Sequence, residues 1–255
     1  DVQHLCCSDN PLLTPSVDVL CRYWTDVLDA MAQLHAAGIV HGDIKPDNVV
    51  VAHDFESARL CDYDSCCNVG EILRHSTPVY ALHNLGTNVA SSFRMDYHAF
   101  AVSVVATLTG SLPPLTSDLV PMTRSAQDRR HWIHTMVLTK MLSKEQVDCA
   151  YVSTQSLQRA YYRLNNDDES VGADDGEDEE LNEFLCNAVL QQYGLSIDLI
   201  ESMFAPDVSI NALRDTLAHV AEKCKNHPST PTRSPGKLLD PPISPCPPDK
   251  KARKC

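Results

Sequence analysis

The sequence contains no apolar run of 18 or more residues and no basic segment followed by an apolar one at its start. A membrane-spanning helix needs a run of that length, and a secretory signal needs that order of segments. We therefore expect an intracellular protein, cytoplasmic or nuclear, with no membrane partner. Because the chain begins with Asp1 rather than Met, we also expect it to be part of a longer protein.

Zinc-binding spacing is also missing. The chain has 11 cysteines, an odd number, and no two of them are separated as C-x-x-C. Structural zinc sites draw their cysteines from such closely spaced pairs. Intracellular cysteines remain reduced, and a buried thiol behaves as a small apolar side chain. The sequence therefore predicts reduced thiols and no zinc site.

Basic residues are absent from one long acidic segment. The net charge is −13, but ten acidic residues lie between Asp167 and Glu183, so the rest of the chain carries only −3. Such a run is typical of a solvated, disordered insert, which we expect at 165–183; a docking strip for a basic partner is the alternative. No basic face is interleaved with aromatic residues, so nucleic-acid binding is not predicted.

Hydrophobic periodicity predicts a mainly α-helical fold. Apolar residues recur every three or four positions over 17–37, where Gly38 would end a helix, and the segment 96–108 is apolar on nearly all sides. Between these helices, two short apolar runs predict a small β-hairpin with strands Val49–Ala52 and Ala58–Cys61. Further helical stretches are predicted near 125–142, 144–163, 182–204 and 209–224.

The C-terminal segment 225–255 has a different composition. It contains eight prolines and ends in a basic cluster at 250–254, which predicts a disordered tail. Three hydroxyl residues precede prolines there and are candidate regulatory sites for proline-directed kinases: Thr230, Ser234 and Ser244. The basic cluster indicates nuclear import. A solvated linker without either role is the alternative interpretation.

A polar stretch follows the first predicted helix, and it reads His41-Gly42-Asp43-Ile44-Lys45-Pro46-Asp47-Asn48. It resembles the catalytic loop of eukaryotic-type protein kinases, in which Lys stands two residues and Asn five residues after an Asp. Phosphoryl transfer depends mainly on positioning and charge stabilisation. The resemblance implies that Asp43 orients the substrate hydroxyl and accepts its proton, that Lys45 offsets charge on the γ-phosphate of ATP, and that Asn48 binds Mg²⁺. A Lys two residues after the catalytic Asp resembles the serine/threonine class of protein kinases.

Fourteen residues after Asn48 comes Asp62-Tyr63-Asp64, which resembles the Asp-Phe-Gly of the same family. The resemblance implies that Asp62 is the second Mg²⁺ ligand, since this small cation prefers oxygen donors. Asp64 stands where the family has Gly. Because glycine tolerates backbone angles that other residues reach only at a cost, we expect strain at Asp64.

Two further segments extend the resemblance. Ser76-Thr77-Pro78-Val79-Tyr80 is similar to the end of the kinase activation segment, which implies that Thr77 braces the catalytic Asp and Lys. Asp96 matches the buried Asp that holds the amides of the catalytic loop, and His41 belongs to the same supporting set. The resemblance therefore implies a kinase C-terminal lobe over 17–224, built as a helical bundle whose small hairpin carries the catalytic and metal-binding loops. Residues 1–16 would be a residual hinge or linker.

The sequence departs from the family pattern at three further places. Gly42 replaces the Arg that in many kinases binds a phosphate on the activation segment, which predicts activity without such phosphorylation. Leu82-His83-Asn84 stands in place of Ala-Pro-Glu. The segment 1–16 contains no Gly and no Lys, so we expect the N-terminal lobe, with its glycine-rich loop and Lys, to be absent from this chain and encoded upstream, or lost.

Two functions follow from the resemblance. The first is ATP- and Mg²⁺-dependent transfer of phosphate to serine and threonine hydroxyls of a protein substrate, by the catalytic lobe of a truncated kinase. The second is a catalytically inactive pseudokinase lobe that acts as a protein-interaction scaffold. The partners of the lobe would be its own missing N-terminal lobe or a protein docking on the acidic insert.

Overall fold

The computed structural model describes residues 1–7, 15–83, 88–113, 123, 125–137, 186–187 and 189–226. The helices are α1 (Val2–Cys7), α2 (Val17–Ala36), α3 (Phe93–Thr109), α4 (Ala126–Met136), α5 (Ile197–Met203) and α6 (Ile210–Asn226). The strands are β1 (Ile39–Val40), β2 (Val49–Val51), β3 (Ala58–Leu60) and β4 (Cys67–Asn68). Short 3-10 turns cover Pro46–Asn48, Pro78–Tyr80 and Gln191–Tyr193. The described part of the chain is thus mainly helical.

Helix α2 confirms the first predicted helix and forms one wall of the core. Its apolar face is buried at Trp24, Leu28 and Met31, each with no exposed surface. The Trp24 indole N–H donates to Thr107 Oγ1 at 2.8 Å, so its polar atom is satisfied inside the core. The Trp24 ring also meets Phe100 edge to face, with centroids 5.5 Å apart. These contacts fix α2 against α3, and α2 also packs on α6.

Helix α3 is the second predicted helix, and it begins three residues earlier than expected. It is buried on almost all sides, as its continuous apolar sequence indicates. Its interior hydroxyls are satisfied within the helix: Ser103 donates to the Ala99 carbonyl at 2.7 Å and Thr109 to the Val105 carbonyl at 2.6 Å. Gly110 ends the helix in a left-handed conformation.

Two small antiparallel sheets lie beside these helices. Strands β2 and β3 form the predicted hairpin, with Val49 opposite Leu60. The hairpin is attached to α2, because the Asp26 carboxylate accepts the Ala58 amide at 2.8 Å. Strands β1 and β4 form a second pair that the sequence did not predict. Two-residue strands are too short to show any alternation, so only the tertiary fold identifies them.

The structure differs from the prediction at two places. Residues 1–16 were expected to be a linker, but Val2–Cys7 form helix α1, whose Val2 is completely buried. The stretch 182–204 was expected to be helical throughout, but Gly194 interrupts it with a φ of +69°. A Cβ atom at Gly194 would lie 2.8 Å from the Val220 carbonyl oxygen, so this close approach to α6 needs glycine.

Several predictions fall outside the described residues. They are the helix near 144–163, the acidic insert 165–183 and the three candidate phosphorylation sites of the tail, Thr230, Ser234 and Ser244. Helix α6 continues to Asn226, two residues into the segment assigned to the tail. Within the parts of the chain that the structure describes, no helix is both long enough and apolar enough to cross a membrane.

Candidate active site

Asp96 organises the loop that carries most of the candidate site residues. It lies in the first turn of α3 and is only 1% exposed. Its carboxylate accepts the backbone amides of His41, at 2.8 Å, and Gly42, at 2.9 Å. The same carboxylate accepts a hydrogen bond from His35 Nε2 at 2.9 Å. A buried charge is tolerated when it is hydrogen-bonded in this way, so Asp96 fixes the start of the loop to α3.

Asp43 stands at the centre of a second set of hydrogen bonds. Lys45 Nζ donates to its Oδ2 at 2.6 Å, and the Thr77 amide donates to its Oδ1 at 2.7 Å. Lys45 Nζ also donates to Thr77 Oγ1 at 2.8 Å, which closes a triangle of three residues. Burial alone would raise the pKa of Asp43, but the hydrogen bonds from Lys45 and Thr77 outweigh it and hold the pKa below its usual range. Asp43 is therefore a carboxylate at neutral pH.

Asn48 lies against Asp43 at the end of the Pro46–Asn48 turn. Its Nδ2 donates to the Asp43 main-chain carbonyl at 2.9 Å, and the side chain is buried. Since the amide NH₂ is engaged there, the Oδ1 atom is the one that Asn48 can offer to a ligand. The rigid φ of Pro46 at the first position of the turn favours this local geometry.

Asp62 lies two residues after the end of strand β3, and the preceding residue, Cys61, is hydrogen-bonded to Asn48. The Cys61 amide donates to the Asn48 carbonyl at 2.9 Å, and the Asp62 side chain is exposed. Asp62 has a φ of +63°, a left-handed conformation. The strain expected at Asp64 was therefore placed at the wrong residue, because Asp64 does not have a positive φ. An amide oxygen and an exposed carboxylate are hard donors, and this pair fits the chemistry of Mg²⁺.

His41 links the two loops. Its Nδ1 accepts the Asp43 amide at 3.3 Å, and its Nε2 donates to the Cys61 carbonyl at 3.2 Å. A neutral imidazole has one acceptor and one donor nitrogen, so these partners assign the proton to Nε2. Burial lowers the pKa of His41, and this neutral form is favoured at pH 7. The ring edge also meets Tyr63, with centroids 5.4 Å apart.

Gly42 is packed directly against the segment that follows Asp62. It has a φ of +83°, and a Cβ atom there would lie 2.4 Å from Leu73 Cδ1 and 2.9 Å from the Ser65 carbonyl oxygen. Gly42 and Leu73 also line a small cavity of about 30 Å³, together with Met95 from α3. The position where many kinases carry Arg is therefore closed to a larger side chain.

A partly buried ion pair was not foreseen from the sequence. Arg129 of α4 donates from Nε and Nη2 to the Glu201 carboxylate of α5, with the shortest distance 2.5 Å. The guanidinium group also donates to the Thr123 carbonyl at 3.0 Å and lies 5.1 Å over the Phe204 ring. The partners are 72 residues apart, so no local pattern could pair them. Asn84, which replaces the family's Glu, lies outside the described residues.

Six predicted residues therefore lie in one site: Asp43, Lys45, Asn48, Thr77, His41 and Asp96. Asp62 directly follows Cys61, whose amide donates to the Asn48 carbonyl. Residues 11–207 of this chain match the protein kinase domain. The chain is 32% identical over 93 residues to serine/threonine-protein kinase dkf-2 of Caenorhabditis briggsae, covering 34% of this chain and 8% of that protein.

Two other relatives give similar figures. Serine/threonine-protein kinase D2 of Homo sapiens is 33% identical over 95 residues, which is 35% of this chain and 11% of that protein. Serine/threonine-protein kinase CG17528 of Drosophila melanogaster is 32% identical over 95 residues, which is 35% of this chain and 13% of that protein. The matched segments are thus a small part of each relative's length. The match over 11–207, which spans most of the chain, establishes that this chain belongs to the protein kinase family.

Proposed function

We propose that this chain carries the phosphoryl-transfer site of a serine/threonine protein kinase, which moves the γ-phosphoryl group of ATP to hydroxyl groups of a protein substrate with Mg²⁺. The observation that carries the proposal is the triangle of Asp43, Lys45 and Thr77, in which one carboxylate is held by two donors at 2.6 and 2.7 Å. The names of the three relatives support the serine/threonine class.

Asp43 would orient the attacking hydroxyl. Its carboxylate is ionised at neutral pH because Lys45 and Thr77 lower its pKa in spite of burial. A carboxylate with a lowered pKa is a weak base, so its main contribution is to hold the hydroxyl in line and to accept the proton as the new bond forms. Thr77 supports this role, because its amide holds the Oδ1 atom of Asp43 while Lys45 holds the Oδ2 atom.

Lys45 would offset negative charge on the transferred phosphoryl group. Its ammonium group is held by Asp43 and Thr77 at 2.6 and 2.8 Å, so it is already oriented before substrate binds. Asn48 Oδ1 and the Asp62 carboxylate would hold Mg²⁺, which supplies charge neutralisation to the phosphates of ATP when bound. The hydrogen bond from the Cys61 amide to the Asn48 carbonyl, at 2.9 Å, joins the main chain of Asn48 to the residue before Asp62 and supports this pairing.

The first test replaces Asp43 with Asn. The substitution keeps the size but removes the charge and the proton acceptor, so we expect kcat to fall about 10²–10⁴-fold. Asp47→Asn is the matched control, because Asp47 is exposed on the same loop, and its kcat should stay within about threefold of wild type. Transfer of ³²P from ATP to a degenerate serine/threonine peptide mixture measures both. Full activity in Asp43→Asn would contradict the proposal.

The second test addresses the metal ligands. Asn48→Ala and Asp62→Asn each remove or weaken one oxygen donor, so we expect half-maximal activity to require about tenfold more Mg²⁺ or more. The measurement is a Mg²⁺ titration at constant ATP. Val50, on the exposed face of β2, provides a control as Val50→Thr. An unchanged Mg²⁺ requirement in both ligand variants would remove them from the site.

A scaffold without catalysis is the second candidate function. It is favoured by Asp64 in place of Gly and by Gly42 in place of Arg. A scaffold predicts no phosphoryl transfer by wild-type protein and no effect of Asp43→Asn on complexes captured with it. Transfer that depends on Asp43 would exclude this alternative as the principal function.

A further inference from the structure

The segment between Asp62 and Tyr80, here called the activation segment, contains a tight turn at Asn68–Ile72. The turn begins in β4, which pairs with β1. Beyond this pair, the Val69 amide donates to the Gly38 carbonyl at 2.9 Å. One side of the turn is therefore joined to the short connection between α2 and β1, directly before the catalytic loop.

The other side of the turn is joined to the residues that precede α3. The Gly70 amide donates to the Ser91 carbonyl at 3.0 Å, and the Ser91 amide donates back to the Glu71 carbonyl at 2.7 Å. Ile72 and Ala90 form a further antiparallel bridge. These reciprocal bonds resemble one rung of a β-ladder, and they connect the turn to the start of the helix that carries Asp96.

Three side chains reinforce this connection. Ser91 is 2% exposed, and its hydroxyl donates to the Asn68 carbonyl at 2.8 Å. The Glu71 carboxylate accepts the Asn68 amide at 3.1 Å and the Asn68 Nδ2 at 3.0 Å. These hydrogen bonds lower the pKa of Glu71, so the carboxylate is charged at neutral pH. We call the set Asn68, Glu71 and Ser91 the activation-segment clip.

The clip acts on the site through the chain that follows it. Five residues after Ile72 the segment reaches Thr77, whose amide contacts Asp43 at 2.7 Å. The clip is anchored beside α3, and α3 holds the catalytic loop through Asp96. The two sides of the Thr77–Asp43 contact are thus attached to one common support, which fixes their relative position.

The contacts at Gly42 add an independent observation. Leu73 and Ser65 occupy the space around Gly42, so the activation segment lies directly on the catalytic loop there. No guanidinium group stands at this position to bind a phosphate. The hydrogen bonds that define the clip are made by peptide groups or by its own three side chains, and none requires a phosphate.

We propose that Glu71 and Ser91 are positioning residues that hold the activation segment in its active arrangement in place of a phosphorylated residue. The inference rests on the proposed phosphoryl transfer, and it extends it by naming the device that makes the site independent of an activating phosphate. Glu71 and Ser91 act only through Thr77 and Asp43, and they touch no reacting atom.

The test uses Glu71→Ala, Ser91→Ala and the double variant. Glu222→Ala is the control for the loss of an exposed carboxylate. Ser202→Ala is the control for the loss of a hydroxyl that donates to a main-chain carbonyl. All proteins are treated with phosphatase. Two properties are then measured: kcat and KM for ³²P transfer from ATP to the peptide mixture, and amide hydrogen exchange over residues 68–80 and at Ser91. Exchange does not depend on catalysis, so it reports the clip separately.

We expect phosphatase-treated wild type to keep its activity, and the double variant to lose about 10–100-fold in kcat with little change in the KM for ATP. Exchange at the Gly70, Ser91 and Thr77 amides should accelerate in the same variant but not in the controls. Glu71→Gln retains one acceptor for Asn68 and should recover part of the loss. This graded response would not follow from a general loss of stability.

Three results would overturn the inference. The first is a wild type that loses its activity on phosphatase treatment, and the second is a double variant that keeps full kcat although its exchange accelerates. The third is unchanged exchange in the double variant, which would show that the clip does not hold the segment. A wild type with no transferase activity would instead refute the proposed function, and the inferred regulation with it, whatever the exchange data show.

Discussion

Replacing Asp96 with Asn should reveal how strongly the catalytic loop depends on one buried carboxylate. Asp96 accepts two backbone amides and the His35 ring N–H, at 2.8 to 2.9 Å, and is 1% exposed. An Asn side chain keeps one acceptor oxygen and turns its NH₂ group toward the remaining donors. At least one buried N–H then has no acceptor and faces another donor.

The cost follows from these contacts. An orphaned buried N–H costs about 1–3 kcal/mol, and exchanging charge-assisted hydrogen bonds for neutral ones costs about 1–2 kcal/mol more. We therefore expect Asp96→Asn to lower the free energy of unfolding by about 2–5 kcal/mol, a large share of the 5–15 kcal/mol typical of a domain. Because the loop start is released, activity should fall as well.

Urea denaturation followed by circular dichroism measures this loss, with Asp26→Asn as the matched control. Asp26 accepts one amide, from Ala58 at 2.8 Å, and an Asn oxygen can replace that acceptor. The control should lose less than about 1 kcal/mol. If Asp96→Asn costs no more than Asp26→Asn, the carboxylate does not hold the loop in the way described, and the reasoning is refuted.

Two further predictions concern the same loop. Gly42→Ala should destabilise the protein by about 2–4 kcal/mol, because the new Cβ atom would meet Leu73 and the Ser65 carbonyl at a residue with a positive φ. The control is Gly38→Ala, which has a φ of +76° but open space around it and should cost only about 1–2 kcal/mol. Equal urea midpoints for the two variants would contradict the packing argument. Burial lowers the pKa of His41 in the folded protein below its ordinary value of 6.5. As the pH falls, His41 is therefore protonated in the unfolded chain before it is protonated in the folded protein. The free energy of unfolding that is present above pH 6.5 should decline as the pH falls through the pKa of the folded state. Urea midpoints between pH 5 and 8 test this, and a His41→Gln variant with the same pH slope as wild type would show that His41 is not responsible.

Local patterns were sufficient for the elements that contain one clear period. Helix α2 and the β2–β3 hairpin lie where the spacing of apolar residues placed them, because helix and strand periods are properties of neighbouring residues. The same reasoning failed at Gly194, where a continuous helix was predicted. This glycine has a positive φ and interrupts the helix, so that the chain can lie close to α6. The reasoning also failed at residues 2–7, whose burial depends on contacts with distant segments.

The candidate site shows the same division. Asp43, Lys45 and Asn48 lie within six residues, so a motif is enough to select them. Their grouping around Asp43 depends on Thr77, which is 34 residues away, and this contact is set by the course of the activation segment. The strain expected at Asp64 lies at Asp62 because the backbone angle is decided by how the chain leaves β3, which residue identity does not reveal.

The family, the chemical type of the site residues and the main helices could all be identified from the amino-acid sequence, since each depends on residues close together in the chain. The hydrogen bonds that hold the site residues in place depend on the tertiary structure. The hydrogen bonds of Asp96, the Arg129–Glu201 ion pair and the activation-segment clip join segments that are 20 to 72 residues apart. Such contacts form when helices and turns pack together, and no local spacing encodes them, because their partners meet only after the chain has folded.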